Sequence, residues 1–246
     1  MIDRIYLGAD IHIPSDLRDV ETAVRIIKNF CRTHDTTKRD VLILLGDTQV
    51  NTNAYVRDRM VKKMLEDLPI TIVILYGNHE VRVEDVPREL ADYKIEEWQG
   101  GRVHVEEKFP SLIFLIDGEI YDLKGKSTLA IGGAHSIDQW IRKRDGRLWS
   151  ANEKPSDAIK KKTENKLTEL GWKVDIVLSH TVPIKYMPKE ALLAEHPWYI
   201  FDNTTEIWLD QIRENLDYGA WFCGHFHIDK DIDKIHFLFI RFWELQ

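Results

Sequence analysis

A chain of 246 residues, 43% hydrophobic and 30% charged, is long enough to bury a substantial core without disulfide or metal staples. Its net charge of −7 argues against general affinity for nucleic acid or an anionic membrane, and two cysteines, Cys31 and Cys223, are too few for a disulfide framework. The apolar runs are too short to span a bilayer and the first residues lack a signal-peptide pattern, so the expectation is a soluble, cytoplasmic protein.

Residues 2–9 predict a first strand, ending in Asp10-Ile11-His12. Pro14 and Ser15 open a helical pattern in which Val20, Val24, Ile27 and Phe30 recur on one face. A second strand, Val41–Leu45, ends in Gly46-Asp47. Helical spacing returns from Asn53 to Leu68 and stops at Pro69. The third strand, Ile70–Tyr76, ends in Gly77-Asn78-His79-Glu80. Strand–helix–strand–helix–strand predicts right-handed parallel crossovers. Short strands at Arg102–Val105, Leu112–Ile116, Ile120–Leu123 and Thr128–Ile131 then read as a meander, the last running into Gly132-Gly133-Ala134-His135. Residues 136–155 look irregular and rich in Trp and Arg, followed by a polar helix from Ser156 to Leu170. Another strand, Val174–Leu178, ends in Ser179-His180, and Asn203 with Glu206 predicts a capping box for a helix reaching Leu216. Ala220–Cys223 ends in Gly224-His225-Phe226-His227, and residues 232–234 and 236–243 read as a closing antiparallel pair. With no repeat, low-complexity tract or composition break, residues 1–246 read as one α/β domain.

Chemistry-bearing residues gather at five strand ends: Asp10 and His12, Asp47, Asn78 and His79, His180, and His225 and His227. In extended chain, residues two apart point the same way, so each His-containing pair can serve one site. Carboxylate oxygen, imidazole nitrogen and one amide oxygen, without a thiolate, suit Mn, Fe, Zn or Co. Seven donors (Asp10, His12, Asp47, Asn78, His180, His225 and His227) exceed what one catalytic ion with an open position takes, and suit two ions sharing a bridging carboxylate. Taken singly, each Asp reads as a cap or turn residue and each His as a packed side chain. Repetition at five strand ends of one polarity outweighs those readings. His34, His104, His196 and His236 fall outside the pattern and read as structural.

In their order, Asp10-Ile-His12, Gly46-Asp47, Gly77-Asn78-His79-Glu80, Ser179-His180 and Gly224-His225-Phe-His227 resemble the motifs of the calcineurin-like metallophosphoesterase superfamily, over nearly the whole chain. The resemblance implies four layers, two mixed sheets flanked by helices, with a dimetal site at the carboxyl ends of the strands. It implies one ion on Asp10, His12 and His227 and a second on Asn78, His180 and His225, bridged by Asp47. The implied reaction is phosphoester hydrolysis by in-line attack of a metal-bound hydroxide, with Asp47 and His79 catalytic and His79 the general acid. The substrate would be a phosphodiester or a small-molecule or nucleotide phosphoester.

One departure weighs on that reading. Val50 stands where protein phosphatases of the superfamily carry the second Asp of Gly-Asp-x-x-Asp-Arg-Gly, which orients the catalytic His. A Ser/Thr protein phosphatase is therefore an alternative, beside a nuclease and a non-catalytic binding module on the same fold. Glu80 is the candidate orienter of His79, or else a helix-opening acid. Residues 136–170 read as a substrate-rim insertion, with His135, Arg142 and Arg144 as candidate substrate ligands, since Arg pairs bidentately with phosphate and neighbouring Trp side chains can stack on planar groups.

Overall fold

A computed structural model describes residues 2–14, 17–146, 149–191, 202–239 and 241–246; Ser15, Arg147 and His196 lie outside the described residues. Its elements in chain order are β1 (Ile5–Gly8), α1 (Leu17–His34), β2 (Val41–Leu45), α2 (Tyr55–Glu66), β3 (Thr71–Leu75), β4 (Tyr93–Trp98), β5 (Gly101–Glu106), β6 (Leu112–Leu115), β7 (Ile120–Leu123) and β8 (Lys126–Ile131). There follow α3 (Gln139–Arg144), α4 (Asp157–Glu169), β9 (Lys173–Ser179), α5 (Thr204–Asn215), β10 (Asp217–Cys223), β11 (Lys230–Ile232), β12 (Ile235–Phe237) and β13 (Trp243–Leu245).

Side-chain alternation along the central strands sets the layers. Ile5 and Leu7, Val41, Ile43 and Leu45, and Val73 and Leu75 pack with Ala130, Ile176, Leu178 and Phe222 in one core between two sheets. The opposite faces, through Tyr6, Leu42, Leu44, Ile72 and Ile74, lie under α1 and α2, which contribute Val20, Val24, Ile27, Val61 and Leu65. On the far side, Leu129, Ile131, Val177 and Trp221 are covered by Leu167 of α4 and Trp208, Leu209 and Ile212 of α5. A strand covered on both faces has no polar side, which is why these strands read as unbroken apolar runs.

The seven-stranded sheet has the order β13-β1-β2-β3-β6-β5-β4 and the six-stranded sheet β11-β12-β10-β9-β8-β7. β1, β2, β3 and β6 run parallel, as do β8, β9, β10 and β12, and antiparallel strands close the edges. Both sheets are mixed, and each delivers its motif-bearing loops at the carboxyl ends of parallel strands.

Four local expectations change. β4 is an edge strand paired with β5 through a turn at Gln99 (φ 50°) and Gly100 (φ 77°); its exposed Lys94, Glu96 and Glu97 blunt the edge and hide the alternation. The stretch expected to be irregular contains α3. Residues 243–245 do not extend the closing pair but cross to the other sheet, where Leu245 stands opposite Ile5. At α5 no capping box forms: Thr204 N donates to Asp202 Oδ1 at 3.0 Å, while Glu206 is turned inward and accepts from Thr181 Oγ1 at 2.8 Å. Among the described residues no helix is long and apolar enough to cross a membrane, and both cysteines are free and buried.

Candidate metal centre

At the carboxyl edge the chain leaves the β region abruptly. Asp10 (φ 53°), His12 (φ 45°), Asp47 (φ 52°), His225 (φ 71°) and His227 (φ 52°) all adopt left-handed backbone. For an L-residue other than Asn or Asp this conformation is uncommon and costs about 1–2 kcal/mol, and it concentrates where side chains must converge on one point. The extended-chain argument for residue pairs is thereby corrected. Asp10 and His12 do meet, but through a kinked backbone in which Asp10 N donates to Gly46 O (3.2 Å) and His12 N to Asp47 O (2.9 Å). His225 and His227 go to different groups of ligands. Two glycines permit the crowding. A Cβ on Gly46 (φ 93°) would stand 2.3 Å from His180 Nδ1, and one on Gly77 would stand 2.1 Å from Asp47 Oδ1.

Three overlapping groups result: Asp10, His12 and His227; Asp47, His180 and His225; and His12, Asp47 and His79, each with ligand atoms within 4.8 Å of one another. Asp47 joins them. Its Oδ2 lies 3.7 Å from both His12 Nε2 and His79 Nε2, and its Oδ1 lies 3.4 Å from His180 Nε2. The same Oδ1 accepts the backbone N–H groups of Asn78 (2.9 Å) and His79 (3.0 Å), which fixes the carboxylate between the two sheets.

Lone pairs face lone pairs in this cluster. His180 Nδ1 donates to Leu45 O at 2.7 Å, so its Nε2 carries no proton, yet it lies 2.9 Å from Asn78 Oδ1. His12 Nε2 and His227 Nε2 are 2.9 Å apart, and buried Asp10 Oδ1 has no hydrogen-bond partner. Burial raises Asp47 to about 6 and lifts Asp10 well above the ordinary carboxylate range. Burial also pushes His180 down to about 4, His225 well below its ordinary value, and His12 and His227 downward. Two costly carboxylates, opposed acceptors and neutral imidazoles are what a pair of dications would satisfy, and a nitrogen and oxygen donor set without thiolate suits transition-metal ions. The residues present fit such ions.

The family model for calcineurin-like phosphoesterases matches residues 4–229. The chain belongs to that family. Among solved structures it is similar to the protein of unknown function AQ665 from Aquifex aeolicus, with 16% identity, a TM-score of 0.31 and coverage of 73% of this chain and 79% of that one. A search of curated proteins gives no match.

In this calcineurin-like phosphoesterase the surroundings of His79 differ from expectation. Glu80 does not orient it. Its Oε1 accepts Gly77 N at 2.7 Å, and its Oε2 accepts Thr48 N at 3.1 Å, Gln49 N at 2.9 Å and the Thr48 hydroxyl, so it stitches the Asp47 loop to the Asn78 loop. Nor does it open a helix, since the next turn of 3-10 helix starts at Val83. The unexpected contact of His79 is Arg142 of α3, whose Nη2 contacts Nδ1 and lies 2.9 Å from Nε2. Arg142 is tethered in turn by Asp138, with both carboxylate oxygens 2.7 Å from its Nε. Burial first, and then Arg142, hold His79 down at about 2.

A cleft of about 550 Å³ opens over this floor, lined by Asp47, Asn78, His79, Asp138, His225 and His227 with apolar walls from Ile137, Phe226 and Ile228. The other two rim expectations fare differently. Arg144 is exposed, paired with Asp145 at 2.7 Å and lying over the Trp140 ring. His135 lines a small adjoining pocket beside His225 and Phe226, with its Nδ1 3.4 Å from Glu153 Oε1. His34 stacks on Phe30 and His236 pairs with Asp231, both apart from the ligand groups. Ser136 and Asp138 contact site residues but offer no sequence signal, being a serine and an aspartate in an unpatterned stretch.

Proposed function

We propose that this protein hydrolyses small-molecule or nucleotide phosphoesters at a pair of transition-metal ions, Mn, Fe or Zn. The observation that carries the reading is Asp47, which turns one oxygen toward the His12 side and the other toward His180. Asp10, His12 and His227 would hold one ion and Asn78, His180 and His225 the other. When bound, the ions supply Lewis-acid charge that offsets the repulsion between phosphoryl oxygens and an incoming water.

The remaining work falls to this chain. Arg142, held by Asp138 and in contact with His79, would offer N–H donors to a phosphoryl oxygen. His79 is neutral in the free protein because burial and the Arg142 cation both oppose its charging. An anionic phosphoryl group lying between them draws Arg142 to itself and favours the imidazolium. His79 then delivers a proton to the departing oxygen, a contribution of about 10²–10⁴-fold in rate. The apolar walls of the cleft suit an organic leaving group, and a volume of about 550 Å³ exceeds what phosphate alone would fill.

The test is hydrolysis of p-nitrophenyl phosphate and bis-p-nitrophenyl phosphate by metal-stripped protein resupplied with Mn, Fe, Zn, Co or Mg, alongside Asp47→Ala. Metal-dependent turnover that vanishes in the variant is expected, and the preferred ester separates diesterase from monoesterase. Protein that binds two ions yet cleaves neither ester, nor any nucleotide ester, would move the function to binding.

A further inference from the structure

We propose that Ser136 is a positioning residue for the second ion, holding the Asn78 amide in the orientation that exposes its oxygen; this rests on the dinuclear reading above. Ser136 is 1% exposed and sits at the start of the loop that carries α3. Its Oγ accepts from Asn78 Nδ2 at 2.9 Å and lies 3.5 Å from Asn78 O, toward which it can donate. A hydroxyl has one proton. Engaged by Asn78 O or by the buried Glu153 carboxylate beside it, that proton leaves an Oγ lone pair for the amide nitrogen, which turns Oδ1 the other way, at His180 Nε2 2.9 Å distant.

That orientation is the unfavourable one for an isolated Asn–His pair. His180 Nδ1 is committed to Leu45 O, so Nε2 is an acceptor facing an acceptor. Rotating the amide by half a turn would replace the repulsion with an Nδ2–H to Nε2 hydrogen bond. It would also hide both ligands, His180 Nε2 behind a donor and Asn78 Oδ1 away from the site. The serine opposes this turn, since a flipped amide would either set Oδ1 against the Oγ lone pairs or draw the hydroxyl proton away from Asn78 O and the Glu153 carboxylate.

Ser136 is itself pinned. Its N donates to Glu153 Oε1 at 3.1 Å, and Ala134 N donates to Glu153 O at 3.1 Å, which closes the neck of the loop. Glu153 is buried, and the hydrogen bonds it accepts hold its carboxylate below the ordinary range despite burial. One loop therefore reaches the site twice, at its neck through Ser136 to Asn78 and farther along through Arg142 to His79. Partners that orient a ligand typically change metal affinity by about 10–100-fold when removed.

The experiment is calorimetric titration of the metal-stripped full chain with Mn²⁺, comparing parent, Ser136→Ala and Ser136→Thr, with thermal melts to verify folding. The parent is expected to show two binding events. In Ser136→Ala one should weaken by about 10–100-fold and the other should hold, and Ser136→Thr, which keeps the hydroxyl, should recover most of the loss. In a His12→Ala background, where the remaining event belongs to the Asn78 side, Ser136→Ala should produce the same loss. If Ser136→Ala does not fold, Ser136→Cys, similar in volume and a weaker acceptor, replaces it. Parental affinities in Ser136→Ala, equal weakening of both events, or a Thr variant as damaged as the Ala variant would each overturn the proposal while leaving the dinuclear site standing. A parent that takes up no ion would overturn both.

Discussion

Glu80 gives the sharpest test of how the site is scaffolded, because its effect is independent of metal. Replacing it with alanine strips the acceptor from the backbone N–H groups of Gly77, Thr48 and Gln49 and from the Thr48 hydroxyl, around a side chain that is 4% exposed. A buried donor left unpaired costs about 1–3 kcal/mol, and relaxation plus the relief of a desolvated carboxylate offset part of the total. A net loss of about 3–5 kcal/mol follows, the range for breaking one side of a buried charged network. At roughly 2–4 °C per kcal/mol for a chain of this size, the melting temperature falls by roughly 6–20 °C. Glu80→Gln keeps the volume but turns an NH₂ group toward one set of donors, so it should lie between parent and alanine. Urea and thermal unfolding would be followed by circular dichroism in chelator, which removes any contribution from bound ions. Glu84→Gln, at a half-exposed carboxylate nearby, is the control and should stay within about 0.5 kcal/mol. If Glu80→Ala is as stable as that control, the stitching role is wrong and Glu80 becomes free to serve His79.

Other outcomes follow from the same geometry. Gly77→Ala places a Cβ where Asp47 Oδ1 stands, so metal analysis of purified protein should find uptake of both ions reduced; two ions at parental affinity would show that the loop yields. Burial holds Asp47 protonated up to about pH 6, and that proton must leave before an ion binds. Apparent Mn²⁺ affinity should therefore fall as pH drops below about 6, by up to about tenfold per unit for this one group, whereas a flat titration from pH 5 to 7 would contradict the raised value. The sign for folding is opposite: the metal-free protein holds this contribution at low pH and loses it as pH rises through about 6. Arg82→Met strands Asp117, 3% exposed and 2.5 Å from the guanidinium, and should cost about 3–5 kcal/mol in urea unfolding. Arg142→Ala should lower kcat/KM toward an active ester by roughly 10²–10³-fold, and parental kinetics would remove Arg142 from the phosphoryl contact.

What could be read in the sequence tracks what is local. The strands β1, β2, β3, β9 and β10 announce themselves as apolar runs, and each ends in residues with few plainer uses when taken together. Asp10, His12, Asp47, Asn78, His79, His180, His225 and His227 could be gathered in advance because one end of a parallel sheet is one place in space. Partners that depend on packing were not legible. Glu80 beside His79 looks like its helper, and only the fold shows it bound to Thr48, Gln49 and Gly77. Arg142 and Arg144 are indistinguishable two residues apart in sequence; a helix turns one toward His79 and the other toward Asp145. β13 pairs with a strand near the other end of the chain, a choice no local pattern encodes.

The division of ligands between the two sheets has a consequence for how the protein comes into being. Asp10, His12, Asp47 and Asn78 follow strands of the first sheet, and His180, His225 and His227 follow strands of the second, so neither sheet alone holds the full set of candidate ligands. During synthesis the donors of the first sheet must wait, without the three histidines of the second, until residue 227 has been made and the sheets have closed face to face. On the proposed dinuclear reading, metal capture would report completed assembly: an ion held with full affinity would certify that both layers have docked in register. A nick, a misfolded second sheet or a stalled chain would lack three of the seven candidate donors, His180, His225 and His227, however well its first strands had formed.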